Sequence, residues 1–574
     1  MPPPSPHPTP AGRPFRPGGP RRYSHQSDGL RTLIETRGVA ALLFDPGTGK
    51  TATVIDYACL LALKSQARSA RVLVIAPLAA VDTWVLQAET FASPDVDVWA
   101  EALGGSIRQK ALTLASRGLD PLLGPGYQSA RERAPGASQA PGTRTYGAPV
   151  ARFVRSATPI PVGAGPESLG RGGQARLVLE VINVDTFASR ASVKAPRGTR
   201  VRTAADLMVE AVRRFAPDLI VVDESHRIKG HSGNSSHAIA RLTPLCRRRV
   251  ILTGTVMPHS PLDVYGQWRF LEPTAFGVLL SNGQRREATW TGFRDRFAQM
   301  GGWMGRQVIG FQHLDELHRI MARNSRVARK ADALDLPPTS DVIIPVHLGK
   351  DEEAAYAEMK AALAARLADG SLASAPNRLA QMMRLRQITS GHLRDDSGAV
   401  RTLGGSKVAV VRSLVGDTLT GEKRVVVFAH FRHEVAALVA ALSTLPDTEV
   451  VSVTGATPAF IRAEIRRRFG SAEPTRLVLV AQMRTMSLAV NELVTASHAI
   501  FASLSERRDD FVQARDRLDR IGQTKPVTFW FCLAPGTVDE IILRAHQQRT
   551  DLESAMLSHI ADRQITTVTR GSTA

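Results

Sequence analysis

Residues Ala40–Thr51 read AALLFDPGTGKT, and the rest of the chain is arranged around them. Val39–Phe44 is a short unbroken apolar run, the pattern of a strand buried on both faces. It ends in a glycine-punctuated turn. Helical spacing then runs from Ala52 to Lys64, with Val54, Ile55, Ala58, Leu61 and Ala62 on one apolar face. Strand, glycine turn and helix in that order make a cradle for a nucleoside triphosphate. Gly47 and Gly49 let the backbone N–H groups around Thr48 converge on phosphate oxygens. Lys50 offers a point charge to the β- and γ-phosphates, and the Thr51 hydroxyl can ligate Mg2+. The following helix adds the positive end of its dipole. One position departs from the full pattern, which wants Gly six residues before the lysine, where this chain has Phe44.

At 574 residues the chain exceeds one ordinary core, so several domains are expected. Lys and Arg number 73 against 53 Asp and Glu, a formal charge of +20. Such an excess suits a polyanionic partner, because Lys and Arg on phosphates release condensed counterions; a merely soluble basic surface would have the same composition. Cys59, Cys246 and Cys532 are scattered, with neither a disulfide framework nor zinc-ligand spacing. No apolar run approaches the roughly 20 residues that span a bilayer, and the N-terminus lacks the apolar core of a secretory signal. The expectation is a cytosolic chain without a membrane partner. Residues 1–22 read as a disordered, Pro-rich basic tail.

Further along, Tyr23-Ser24-His25-Gln26 precedes an amphipathic helix over Gly29–Arg37. The Gln26 amide carries both a donor and an acceptor, which suits an adenine edge and equally suits a helix cap. Apolar strands at Arg71–Pro77 and Leu177–Phe187 and helices at Val81–Phe91 and Ala204–Phe215 give the alternation of a doubly wound α/β domain. Between them, Leu119–Arg176 is rich in Gly and Pro and lacks periodicity, which reads as a mobile insertion. The strand Pro217–Val222 ends in the adjacent carboxylates Asp223 and Glu224. Chemistry at a phosphate-bound Mg2+ needs one acid near the metal and one to orient or deprotonate the attacking water, roles that suit Asp223 and Glu224 in that order. A short strand, Val250–Leu252, ends in Thr253-Gly254-Thr255, hydroxyls placed to relay across a crevice.

From Pro258 to about Ser406 the pattern reads as helical, with aromatic patches that are mainly core material. A second alternation of strands follows: Arg424–Ala429, Glu449–Thr454, Arg476–Ala481, His498–Ala502 and Val527–Leu533. Within it, QARDRLDRIGQ (Gln513–Gln523) places Arg517 and Arg520 three apart, on one face if helical. Such a pair can neutralise charge on a γ-phosphate as arginine fingers do, or simply form salt bridges with Asp516 and Asp519.

Taken together, these stretches resemble the Swi/Snf-like DNA translocases of helicase superfamily two from about Tyr23 to Gln548. PGTGKT is similar to the family's first motif, and Gln26 falls at its adenine-reading Gln. APLAAVDTWVLQAETF resembles CPLSLLxNWxxEF. Asp223–Lys229 (DESHRIK) resembles DEAHRLK, and LTGT with DVYGQWRFLEP resembles the family's next block. VVVFAHF resembles VLIFSQF; Gly455, Thr457, Arg462 and Phe469 match the spacing of another signature; QARDRLDRIGQ resembles QAxDRAHRIGQ. The resemblance implies two RecA-like doubly wound parallel-sheet lobes with ATP between them and double-stranded DNA as partner. It implies phosphate binding by Gly47, Thr48, Gly49, Lys50 and Thr51, and metal and water chemistry at Thr51, Asp223 and Glu224. Arg517 and Arg520 would complete the site from lobe two, with Thr457 and Arg484 on DNA.

Two departures stand out. Where the family has STRAGGLGIN this chain has Gln482–Asn491 (QMRTMSLAVN), so three glycines are replaced by Met486, Ser487 and Ala489; Val256 replaces a proline. Glycines permit close backbone approach, so the first change bears on coupling hydrolysis to motion. The expected organisation is lobe one over 23–275, a helical insertion and linker over 276–405, lobe two over 406–548 and a C-terminal helix and tail over 549–574. The expected function is an ATP-dependent translocase on double-stranded DNA, a monomer of phage or bacterial type in the cytoplasm of a bacterial cell or phage-infected host. The alternatives are a strand-separating helicase in replication or recombination and a DNA-binding scaffold that has lost its motor.

Overall fold

The computed structural model describes residues 15–117, 152–155, 174–189, 203–258, 260–281, 283–305, 307–368, 383–395, 398–471, 475–485 and 491–547. They form two compact units that divide between Ala333 and Leu334.

The first unit is built on an eight-stranded sheet. Its strands in chain order are β1 (Val39–Phe44), β2 (Ser69–Ala76), β3 (Val96–Ala102), β4 (Arg152–Arg155), β5 (Ala175–Asn183), β6 (Leu219–Asp223) and β7 (Arg249–Leu252). A hairpin of β8 (Ala298–Gly301) and β9 (Gln307–Phe311) lies outside that sheet, and β10 (Ser325–Ala328) closes it. The spatial order is β10-β1-β7-β6-β2-β5-β3-β4, parallel throughout except where β4 runs against β3. Both faces are covered, which is why these strands read as unbroken apolar runs. Ala41 and Leu43 of β1 enter one core layer, and Ala40, Leu42 and Phe44 the other. Ile220 and Val222 of β6 likewise oppose Leu219 and Val221. Helices α1 (Ser24–Glu35), α2 (Lys50–Lys64), α3 (Val81–Phe91) and α4 (Ile107–Arg117) fill the connections between the first strands.

The second unit carries six parallel strands: β11 (Thr339–Pro345), β14 (Arg424–Ala429), β15 (Thr448–Val453), β16 (Arg476–Gln482), β17 (His498–Phe501) and β18 (Val527–Leu533). Their order is β11-β18-β17-β14-β16-β15, with a separate hairpin of β12 (His392–Arg394) and β13 (Val400–Thr402). Here too the sheet has a core on each side, with Val426 and Phe428 on one and Val425, Val427 and Ala429 on the other. Among the described residues, no helix is long and apolar enough to cross a membrane.

Several expectations need correcting. The tail expected to be disordered over 1–22 is folded from Phe15 on. Phe15 is buried in the first unit's core. Arg22 reaches Asp56 through two nitrogens at 2.7 and 2.9 Å, its guanidinium lying over the Phe91 ring. The insertion expected to lack order over 119–176 contains β4, whose Phe153 packs against the core. It also takes in the start of β5 at Ala175, and its residues 119–151 and 156–173 lie outside the described residues. The stretch expected to be a helical insertion over 276–405 is divided between the two units and supplies β8 to β13. β10 and β11 pair as edge strands with β1 and β18, and each main sheet gains a strand. Residues 1–14, the tail over 549–574 and the glycine-poor stretch 486–490 are also outside the described residues.

Candidate active site

β1, β7 and β6 are neighbours and parallel, so their carboxyl ends lie side by side. Ligands of open α/β sheets bind at such an edge. The phosphate-loop sequence leaves β1 there, and Asp223 ends β6. Gly47 and Gly49 take left-handed φ values of 82° and 92°. A Cβ on Gly49 would come within 1.9 Å of Gln26 Nε2, so a side chain is excluded by space as well as by conformation. Thr48 closes the turn through its own hydroxyl, which donates to the Asp45 carbonyl at 2.7 Å. The loop is braced from β10: Asp45 N donates to Ala328 O at 2.9 Å, and Lys330 N to the Asp45 carboxylate at 2.8 Å.

α2 begins at Lys50, whose ammonium donates to the Phe44 carbonyl at 2.7 Å and the Asp45 carbonyl at 3.2 Å. Thr51 follows, half-buried. Gln26 is buried and caps the first helix: its amide oxygen accepts from Tyr23 N at 3.1 Å, while its nitrogen donates to the Thr48 carbonyl at 3.1 Å. His25 makes the same contact at 2.7 Å through Nε2 and sets its ring edge-on to Phe44. Burial lowers the His25 pKa, so the ring is a neutral donor to that carbonyl.

Asp223 accepts from the Trp84 indole at 2.9 Å and from Glu224 N at 2.9 Å. Burial raises its pKa to about 6, helped by the Glu224 charge; Trp84 and the Lys50 ammonium pull the other way. Glu224 sits in a left-handed conformation, φ 47°, that costs a non-glycine residue about 1 kcal/mol. Its carboxylate lies 3.4 Å from His226 Nδ1, which in turn is 3.1 Å from the Thr253 hydroxyl. Thr253 also accepts from Thr255 N, so Glu224, His226 and the end of β7 form one polar chain. Ser225 donates to Gln267 Oε1, and Gln267 donates on to the carbonyl of Val256, the residue at the family's proline position. Gly254 packs the end of β7 directly on the phosphate loop, where a Cβ would stand 2.6 Å from the Pro46 ring.

Gln26, Gly47, Thr48, Gly49, Lys50, Thr51, Asp223 and Glu224 are therefore all in the first unit. Lys50 and Asp223 interact electrostatically. Sequence reasoning gave no site role to Trp84, His25 or Lys330. Trp84 was visible within the motif around Asp82-Thr83-Trp84, but its partner lies 139 residues away.

Thr457, Arg484, Arg517 and Arg520 belong to the second unit. The Thr457 hydroxyl accepts from Thr454 N in the turn after β15, and Arg484 is exposed in the turn after β16. These turns are adjacent, with Thr485 donating to the Val453 carbonyl. The helical face expected for Arg517 and Arg520 is absent: the helix Arg508–Arg515 ends before both. The chain then turns through Gly522 at φ 100°, and Gln523 holds that turn by donating to Ala496 O at 2.9 Å and Leu518 O at 3.3 Å.

The SNF2-related domain model matches residues 168–392. The DNA annealing helicase and endonuclease ZRANB3 of Mus musculus is 25% identical over 364 residues, covering 62% of this chain and 31% of that protein. A Xenopus laevis protein, SWI/SNF-related matrix-associated actin-dependent regulator of chromatin subfamily A-like protein 1, is 23% identical over 60% of this chain and 33% of its own length. The chain thus spans about a third of the length of these relatives. A solved structure, the Sulfolobus solfataricus SWI2/SNF2 ATPase core in complex with dsDNA, covers 96% of this chain and 95% of that one at 17% identity. Its TM-score is 0.35, too low to carry weight. The chain is thus similar to the SNF2-related domain over residues 168–392 and to SWI/SNF-type helicases over about 60% of its length.

Proposed function

We propose that the chain hydrolyses ATP and uses the cycle to move along double-stranded DNA. The observation that carries this is the pairing of a lysine-centred phosphate loop with the half-buried, desolvated carboxylate of Asp223. A carboxylate whose pKa burial has raised is poised for a cation, and the left-handed Gly47 and Gly49 give the loop the tight turn that directs its N–H groups toward a phosphate. These residues fit Mg2+ and ATP. In this reading Thr51 and Asp223 hold the metal, which supplies charge neutralisation at the phosphates when bound. Lys50 leaves its two carbonyls for the β- and γ-phosphates, and Gln26 serves the adenine side. Glu224 orients and deprotonates the attacking water, with His226 and Thr253 fixing its position. Arg517 and Arg520 act as arginine fingers, and Thr457 and Arg484 contact DNA. Similarity to DNA helicases and the +20 charge support the choice of DNA. A cytoplasmic location belongs to the same proposal, supported by three free, buried cysteines that suit a reducing compartment; the monomeric state and the bacterial or phage source rest on the motif resemblance alone.

The test is phosphate release measured without nucleic acid, with single strands and with blunt duplex. Stimulation of about tenfold or more by duplex is expected, whereas equal rates in all three would leave only the scaffold reading. Displacement of a triplex strand without unwinding of a fork then separates translocation from strand separation.

A further inference from the structure

Beside the helix Val264–Leu271, a cleft of about 710 Å3 is lined by residues including His231, Tyr265, Arg269, Arg286, Glu287 and Trp290. That volume lies within the range of small-molecule sites, about 300–1,000 Å3. None of its lining residues belongs to the phosphate loop or the Asp223-Glu224 pair. Its floor is aromatic. The Trp290 indole lies face to face with the His231 imidazole, centroids 4.0 Å apart and planes within 3°. Tyr265 meets the same indole edge-on at 5.3 Å, and Phe293 backs Tyr265 at 5.4 Å. The column is therefore rooted in the core, while His231 at its outer end is exposed. His231 is exposed to the cleft beyond its stack on Trp290, where a further planar ring could extend the column.

Around that ring two guanidiniums, Arg269 and Arg286, stand against one exposed carboxylate, Glu287. Arg269 donates to the His231 carbonyl at 3.1 Å and to Ser236 Oγ at 2.7 Å, and its guanidinium lies over Tyr265. It pins the turn while leaving its charge in the cleft. Arg286 is exposed on the rim. Burial, Arg269 and Arg294 all lower the His231 pKa, so at neutral pH the imidazole presents a π-face rather than a cation. A planar stacking surface bordered by guanidiniums is what a base with its phosphate requires. An acidic peptide would use the arginines but gain nothing from the ring column.

We propose that this cleft is a second nucleotide subsite, which takes a base on the outer face of His231 and its phosphate on Arg286 and Arg269. The inference rests on the reading that the chain acts on nucleic acid. The nucleotide belongs either to an unpaired stretch of a strand or to the free pool, and the chemistry is the same. The test uses the full chain with its phosphate loop saturated by a non-hydrolysable ATP analogue. Probes are a short fluorescein-labelled oligothymidylate, read by anisotropy, and dTMP as competitor.

His231→Ala and Arg286→Ala each are expected to weaken the oligonucleotide about tenfold, with duplex-stimulated ATP hydrolysis at the wild-type level. Competition by dTMP assigns the subsite to free nucleotide as well, and its failure to compete assigns it to strand-borne nucleotide. Unchanged oligonucleotide affinity in both variants, with duplex stimulation intact, overturns the subsite and leaves the motor standing. A poly-glutamate peptide that displaces the oligonucleotide, and that depends on Arg286 but not His231, also overturns it. If wild-type chain binds no oligonucleotide and duplex does not stimulate it, both readings fall.

Discussion

Lys50 is held by the two carbonyls that end β1 and faces the Asp223 carboxylate, so it sets the charge at the centre of the phosphate loop. Lys50→Ala is expected to lower ATP hydrolysis by roughly 10²–10³-fold or more, the scale on which removal of a single charge-stabilising donor is felt. Phosphate release at the wild-type rate would refute the site. Arg520→Ala should behave differently. A guanidinium that acts only on charge developing in the transition state contributes to turnover and little to affinity. The variant should keep its nucleotide affinity within a few-fold while turnover falls roughly 10³-fold. Equal losses in both would make Arg520 an ordinary binding residue. The lysine and the acidic pair were legible in the sequence because each sits within a few residues of its own motif. Trp84 and His25 were not, because their roles arise from contacts that only the packed sheet creates: an indole on Asp223 and an imidazole on Thr48.

At the scale of elements, the buried strands were legible because burial on both faces forces continuous apolar sequence. Val39–Phe44 and Arg424–Ala429 carry that signal along their whole length. The edge strands do not. β11 alternates between exposed and half-buried positions, and β4 is four residues flanked by arginines, so neither stands out from a loop. β4 is also held by charge. Glu101 of β3 and Glu180 of β5 are register partners inside the unit. Arg117 at the end of α4 and Arg152 of β4 each reach Glu101 at 2.6 Å, and both guanidiniums lie over the Trp99 ring.

Burial raises the Glu180 pKa to about 8; Glu101 adds to the rise, and the arginines oppose it without prevailing. The folded unit then keeps this proton from about pH 4.5 to 8 while the unfolded chain releases it. Stability therefore falls as pH rises through that window. Glu180→Gln removes the titration. By calorimetry, the first unit of the variant should melt near wild type at pH 5 and above it at pH 8.5. A difference that stays constant between the two pH values would show that Glu180 is ionised throughout.

For the whole molecule, the question is whether the surplus of basic residues is a grip on DNA. Internal pairing does not consume it, because buried pairs such as Arg22 with Asp56 and Lys407 with Asp539 cancel one for one. Such pairs leave the formal +20 of the whole sequence unchanged. Each phosphate neutralised by that surplus adds about −0.9 to the slope of log affinity against log salt, so about six contacts cost roughly 10³-fold between 50 and 200 mM. Hydrolysis without DNA should respond far less, since Lys50 is buried and Asp223 half-buried beside it, a pair that salt screens weakly. The expected result is a steep loss of duplex affinity by anisotropy over that range, with the DNA-free rate changing by less than about twofold. Parallel losses would mean that salt acts on the nucleotide site. Affinity that ignores salt would mean that the basic surplus serves solubility and that contact with DNA is made by other chemistry.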